Sequence, residues 1–116
     1  MTMRLELPIR VVSEMNTREH WAVRNRRKQA QQTAVLAGWR QAFGHRRVPL
    51  PCVVRLTRIG CQPLDGDNLQ AAFKGIRDQL AKLIGVDDGS DKVRFEYAQE
   101  AVRKRQYAVR IEVQEA

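Results

Sequence analysis

The chain of 116 residues reads as a single α+β domain, residues 1–116, with helices packed on a small mixed sheet. Three observations predict this. Stretches of alternating or β-branched residues recur near both ends and in the middle. Two long segments with helical periodicity lie between them. The resulting order, β-α-β-α-β-β, contains no internal repeat and no low-complexity segment. The length admits one hydrophobic core. With 43% hydrophobic and 29% charged residues, the composition is that of a globular protein.

Residues 4–12 alternate apolar and polar side chains for much of their length and predict a strand. Pro8 donates no hydrogen bond, which places that strand at a sheet edge. Residues 13–17 form a connector. Asn16 followed by Glu19 has the form of a capping box, so a helix is expected from about Thr17 to Phe43. Its second half carries an apolar face of Val35, Leu36, Trp39, Ala42 and Phe43. Trp21 and Trp39 are expected to anchor the core, the alternative being that they serve as base-stacking platforms. Residues 44–51 are turn-rich, and residues 52–59 are β-branched and apolar, as a central strand requires. Leu69, Ala72, Phe73, Ile76, Leu80, Leu83 and Ile84 share one helical stripe and predict a single helix over residues 68–83, stopped by Gly85. Residues 92–99 and 103–113 read as strands, and the short polar link between them predicts an antiparallel pair.

Charge is unevenly spread. The net charge is +8, but residues 1–60 hold 12 Lys+Arg against 3 acids, while residues 61–116 hold 9 against 10. A basicity of this kind points to a polyanion, above all nucleic acid. Arg24, Arg26, Arg27 and Lys28 crowd two turns of the first helix, with Arg18 just before them. No acid lies between Glu19 and Asp65 to balance them within the helix. These cations are candidate phosphate contacts. No apolar run is long enough to span a membrane, and the first residues form no signal-peptide core, so the cytoplasm is the expected compartment. Cys52 and Cys61 form no CxxC pair, and His20 and His45 are not at metal spacing to them. Two reduced, partly buried thiols are expected.

Against this basic background, every aspartate lies between Asp65 and Asp91. Asp65 and Asp67 precede the second long helix, and Asp87 and Asp88 follow it. Carboxylates gathered in a basic chain are expected to hold a cation. With no His or Cys among them, Mg2+ is favoured, with Mn2+ as an alternative. An EF-hand is excluded, because its sixth position is Gln70 rather than Gly and its twelfth is Ile76 rather than Glu. A glycosidase pair is disfavoured by the basic charge and the 6% aromatic content. Such an ion orients an attacking water and polarises a phosphodiester. Lys74, seven residues after Asp67, is a candidate for stabilising the charge that develops on phosphorus. The alternative for Lys74 is an ion pair with Asp78, four residues on. The two acidic pairs share an ion only if the Asp87 loop folds back or if the strand following it runs beside residues 52–60.

Asp65-Gly66-Asp67-Asn68-Leu69, then Lys74, Asp78 and Leu80, then Asp87-Asp88, resembles the RusA-type Holliday junction resolvases of bacteria and their phages. The resemblance covers residues 63–93, and more loosely the whole chain. It implies a RusA-like fold and a Mg2+-dependent, homodimeric endodeoxyribonuclease of DNA recombination and repair. Such an enzyme resolves four-way junctions by paired symmetric nicks. Carried over, Asp65, Asp67 and Asp88 are the catalytic, metal-binding carboxylates with Asp87 beside them, and Asn68 joins the DNA contacts. The family's lysine follows its Asn by three residues. Ala71 stands there, and Lys74 takes that role only with one helical turn inserted after Gln70. The alternative is a non-catalytic basic nucleic-acid-binding module whose aspartates cap helices and solvate loops.

Overall fold

Strand β1 (Thr2–Leu7) buries Met3, Leu5 and Leu7 on one face and stops at Pro8, whose nitrogen has no proton for a ladder. It is followed by helix α1 (Trp21–Phe43), strand β2 (Cys52–Gly60), helices α2 (Gly66–Ala72) and α3 (Lys74–Ile84), and strands β3 (Val93–Ala101) and β4 (Ala108–Glu115). The structure, a computed structural model, describes residues 2–12, 20–87, 89–103 and 106–116. The architecture is the α+β domain that the sequence predicts, a four-stranded mixed sheet with helices packed on it. Among the described residues, no helix is long and apolar enough to cross a membrane.

Helix α1 begins at Trp21, later than the capping-box pattern predicts. His20 is extended, and its Nδ1 accepts the Ala22 N–H at 3.2 Å, which satisfies one of the free donors of the first turn. Asn16 and Glu19, the expected capping pair, lie outside the described residues. The helix buries Gln31, Val35, Trp39 and Phe43, and Trp39 meets Phe43 edge-on with ring centroids 4.9 Å apart. Leu36 and Ala42, expected on the same face, remain at the surface.

The strand order is β1-β4-β2-β3, with β2 and β3 parallel and β4 antiparallel to both its neighbours. This corrects the expected β3–β4 pair. The inserted strand is the one whose inward residues, Val109, Ile111 and Val113, are almost wholly buried. The strand at the edge, β3, carries Arg94, Glu96 and Glu100 at the surface. Burying a large aliphatic side chain is worth about 1.5–3 kcal/mol, so the more apolar strand takes the inner place.

The single helix expected over residues 68–83 is two helices. The Phe73 N–H bonds to the Gln70 carbonyl at 3.2 Å instead of continuing the i→i−4 ladder. Its ring, fully buried, meets Tyr97 at 6.0 Å. The apolar stripe survives the break, and Leu69, Ala72, Phe73, Ile76 and Leu80 are all buried. Gly85 ends α3 at φ 88°, a left-handed conformation that glycine adopts without steric cost. Cys52 is buried and Cys61 half-buried, both as free thiols.

Strands β1, β2 and β3 point the same way, because β4 is antiparallel to both β1 and β2 and β3 is parallel to β2. The helical crossovers therefore give the domain two poles. The upper pole collects the carboxyl ends of these strands and the starts of α1 and α2. The lower pole collects the segment before β2 and the turn after α3, where the Cys52 N–H bonds to the Lys92 carbonyl at 2.9 Å.

Candidate functional site

In open sheets with parallel strands, ligands bind beyond the carboxyl ends of the strands. Asp65 and Asp67 stand there. Asp65 is the N-cap residue of α2, and its carbonyl accepts the Leu69 N–H at 2.8 Å, but its carboxylate makes no capping bond. Asp67 lies inside the first turn, so α2 starts at Gly66 and not at Asn68. Both side chains are exposed, and neither forms an ion pair among the described residues. The helix N-terminus favours negative charge at this place.

The loop that carries these carboxylates is pinned from two sides. Gln99 of β3 holds Leu64, accepting its N–H and donating to its carbonyl, each at 2.7 Å. Arg58, 6% exposed, points its guanidinium under the loop. Its Nε donates to the Val11 carbonyl at 3.1 Å and its Nη1 to the Gln62 carbonyl. Burial lowers the Arg58 pKa, yet a guanidinium remains charged throughout the ordinary pH range. Gly60 makes room for it, since a Cβ there would stand 3.2 Å from Nη1. Beside it, Arg10 lies over the Tyr107 ring at 4.2 Å, and the Tyr107 hydroxyl contacts the Cys61 sulfur at 3.4 Å. Sequence reading passed over Gln99 and Arg58. A visible signal existed for Arg58, an arginine within a buried apolar strand.

Asp87 is at the lower pole, exposed, its carbonyl accepting the Ser90 N–H at 3.0 Å. The nine-residue strand β2 holds the poles about 26 Å apart at ~3.3 Å per residue. The eleven residues of α3 alone span about 16 Å. Oxygens sharing one Mg2+ or Ca2+ ion lie within about 5 Å of each other. One chain therefore does not bring Asp65 and Asp67 together with Asp87. Asp88 lies outside the described residues. Among the described residues, no group of three or more His, Cys, Asp and Glu side chains is placed to hold a metal. The donor set nevertheless fits Mg2+, which is commonly held by only one or two carboxylates completed by substrate phosphate and water.

Next to this pair, a groove of ≈ 360 Å³ separates α1 from the α2–α3 junction. Trp21, Arg24, Asn25 and Lys28 form its α1 wall. Ala71, Ala72, Lys74 and Gly75 form the other. Asp67 lies one turn before Ala71 on the same face of α2. Trp21, expected in the core, is 71% exposed, because α1 begins with it and its first turn overhangs the groove. Lys74 opens α3 and lines this groove together with Ala71. Both also line a second, smaller depression with Arg77, Asp78 and Tyr97. Lys74 makes no ion pair with Asp78 among the described residues. Arg77 is engaged elsewhere, donating to the Tyr97 hydroxyl at 3.1 Å and lying over Phe95 at 4.7 Å.

Of the other candidate DNA contacts, Arg26 is exposed and Arg27 and Asn68 are half-buried, while Arg18 lies outside the described residues. No family model matches the chain, and no curated protein matches it.

Proposed function

We propose that the chain is a Mg2+-dependent endonuclease of branched DNA, as the RusA resemblance implies, and that it works as a pair of identical copies. One observation carries the reading. Among the described residues Asp65 and Asp67 form no ion pair, and Asp67 lies one helical turn before Ala71 of a cationic groove, in a chain with 21 lysines and arginines. Such carboxylates repel a phosphate backbone unless a cation stands between them. A bound Mg2+ would join them to the scissile phosphate, supply a water as nucleophile and stabilise the leaving oxygen. Asp65 and Asp67 would hold the ion, Gln99 and Arg58 would keep their loop in place, and Lys74 would face the developing charge. Arg24, Arg26 and Lys28 would bind flanking phosphates.

The long reach to Asp87 gives the pairing of copies its role. Two copies related by a two-fold axis place the upper pole of one beside the lower pole of the other, so that the Asp87 and Asp88 carboxylates of a second copy complete the site. That same separation within one chain favours a second reading, the non-catalytic basic DNA-binding module.

A labelled four-way junction incubated with Mg2+ or with EDTA separates the two. The nuclease nicks with Mg2+, stops in EDTA, and is inactive as Asp67→Asn with unchanged folding. Junction binding without nicking under either condition overturns the enzyme reading and leaves the binding module.

A further inference from the structure

We infer that the groove between α1 and the α2–α3 junction takes a single unpaired nucleobase, stacked on Trp21, with its flanking phosphates on Arg24, Lys28 and Lys74. The inference rests on the DNA-binding part of the proposed function and adds a ligand subsite to it. The argument begins with exposure. A tryptophan that is 71% exposed keeps a large apolar surface in solvent, its ring neighboured by the His20 ring at 5.7 Å between centroids, while Trp39 of the same helix is buried against Phe43. The wall opposite is made of small residues. Gly75 has no side chain, and a Cβ there would stand 3.0 Å from Lys28 Cγ. Gln32 Nε2 donates to the Gly75 carbonyl at 3.1 Å, which fixes the width of the groove.

The groove therefore has an aromatic side chain on one wall and small residues, Ala71, Ala72 and Gly75, on the other. Its volume of ≈ 360 Å³ lies at the lower end of the range of about 300–1,000 Å³ for small-molecule sites. The rim is cationic, and among the described residues no acid lines it. Apolar and ringed by positive charge, the groove complements a heterocycle carried on a polyanion. An intact duplex hides its base faces in the stack, so only an unstacked base can reach Trp21. Such bases occur at bulges, ends and branch points, and a subsite for one would select branched DNA without reading sequence.

The test is binding in EDTA, so that it does not depend on cleavage. Three labelled duplexes of equal length are compared by anisotropy: fully paired, with one bulged nucleotide, and with an abasic residue at the bulge. Stacking on an aromatic residue is worth about 1–3 kcal/mol per base, so the protein should bind the bulged duplex roughly 5- to 150-fold more tightly than the abasic one. Trp21→Ala should bind both equally while keeping its affinity for paired duplex, and Trp21→Phe should restore most of the difference. Equal binding of all three duplexes by the unaltered protein overturns the inference and leaves the proposed function standing. Discrimination that persists in Trp21→Ala also overturns it, as does a Trp21→Ala effect confined to self-association in sedimentation. Failure to bind any of the duplexes also overturns it, and a labelled four-way junction in the same assay tells that result apart from failure of the proposed function.

Discussion

Gln99 grips the backbone of Leu64 at both polar atoms, the N–H and the carbonyl, each at 2.7 Å. This pairing joins the edge strand β3 to the loop that ends in Asp65. Any chemistry at Asp65 and Asp67 therefore depends on a residue 34 positions further along the chain than Asp65. Gln99→Ala removes both bonds at an exposed site. The expected cost is about 1 kcal/mol of stability, with a melting temperature lowered by a few degrees. Nicking should fall at least about 10-fold, because small misplacement of a reacting group is costly. A loss of activity no larger than the loss of folded protein, measured on the same sample, contradicts a positioning role.

Arg58 is the costlier support. In Arg58→Met the side chain still fills the space, but the carbonyls of Val11 and Gln62 lose their donor. Destabilisation of about 2–4 kcal/mol is expected in urea unfolding. A change below about 0.5 kcal/mol, the range of ordinary surface substitutions, would show that the guanidinium does not brace the upper pole.

The unpaired carboxylates give a metal-linked prediction. Without divalent ions, the double variant Asp65→Asn, Asp67→Asn should bind DNA more tightly than the unaltered protein, because two like charges facing phosphate are gone. Mg2+ should close the gap by strengthening binding of the unaltered protein alone. Salt should weaken both, since both neutralise phosphates. Identical Mg2+ responses of the two proteins in a titration argue against an ion at this pair.

On the sheet face away from the helices, Arg110 donates to Glu6 on β1 and to Glu100 on β3, each at 2.8 Å. The Arg110 hydrogen bond holds the Glu6 carboxyl below its ordinary value. A carboxyl lowered in the folded state stabilises above its unfolded value, near pH 4.5, and that contribution is lost as pH falls through the lowered folded value. Both carboxylates are about half exposed, though Arg110 itself is half-buried, so the effect should stay below about 1 kcal/mol. Arg110→Gln should lower stability at neutral pH by this amount and converge with the unaltered protein in acid. A difference that persists undiminished well below that window rules out the linkage.

Much of the fold was legible from local pattern. The β-branched run of β2, the Leu69–Leu80 stripe and the Gly85 stop each reflect one dominant local force, and each appears where the pattern predicts it. The place of β4 was not legible from its short link to β3. Six residues, 102–107, suffice to step over β2, and burial of Val109, Ile111 and Val113 outweighs proximity in sequence. The break at Phe73 was hidden because the apolar stripe continues through it. Trp21 was misread because tryptophan is usually drawn into a core, and its position at the first residue of a helix overrides that tendency.

The separation of the acidic stretches could have been read in advance. A helix joining two parallel strands starts at one pole and ends at the other, so residues just before it and just after it lie at opposite poles. Asp65 and Asp67 lie before α2, and Asp87 follows α3.

That geometry makes pairing of copies the central claim, and mixing two inactive variants tests it most directly. Asp67→Asn is mixed with the double variant Asp87→Asn, Asp88→Asn under conditions that exchange subunits, and junction nicking is followed with Mg2+. If the acidic stretches meet between copies, each mixed dimer holds one site with all its carboxylates, and activity absent from both components returns. A mixture as inactive as its parts, with mixed dimers verified and the unaltered protein active, would contradict the account.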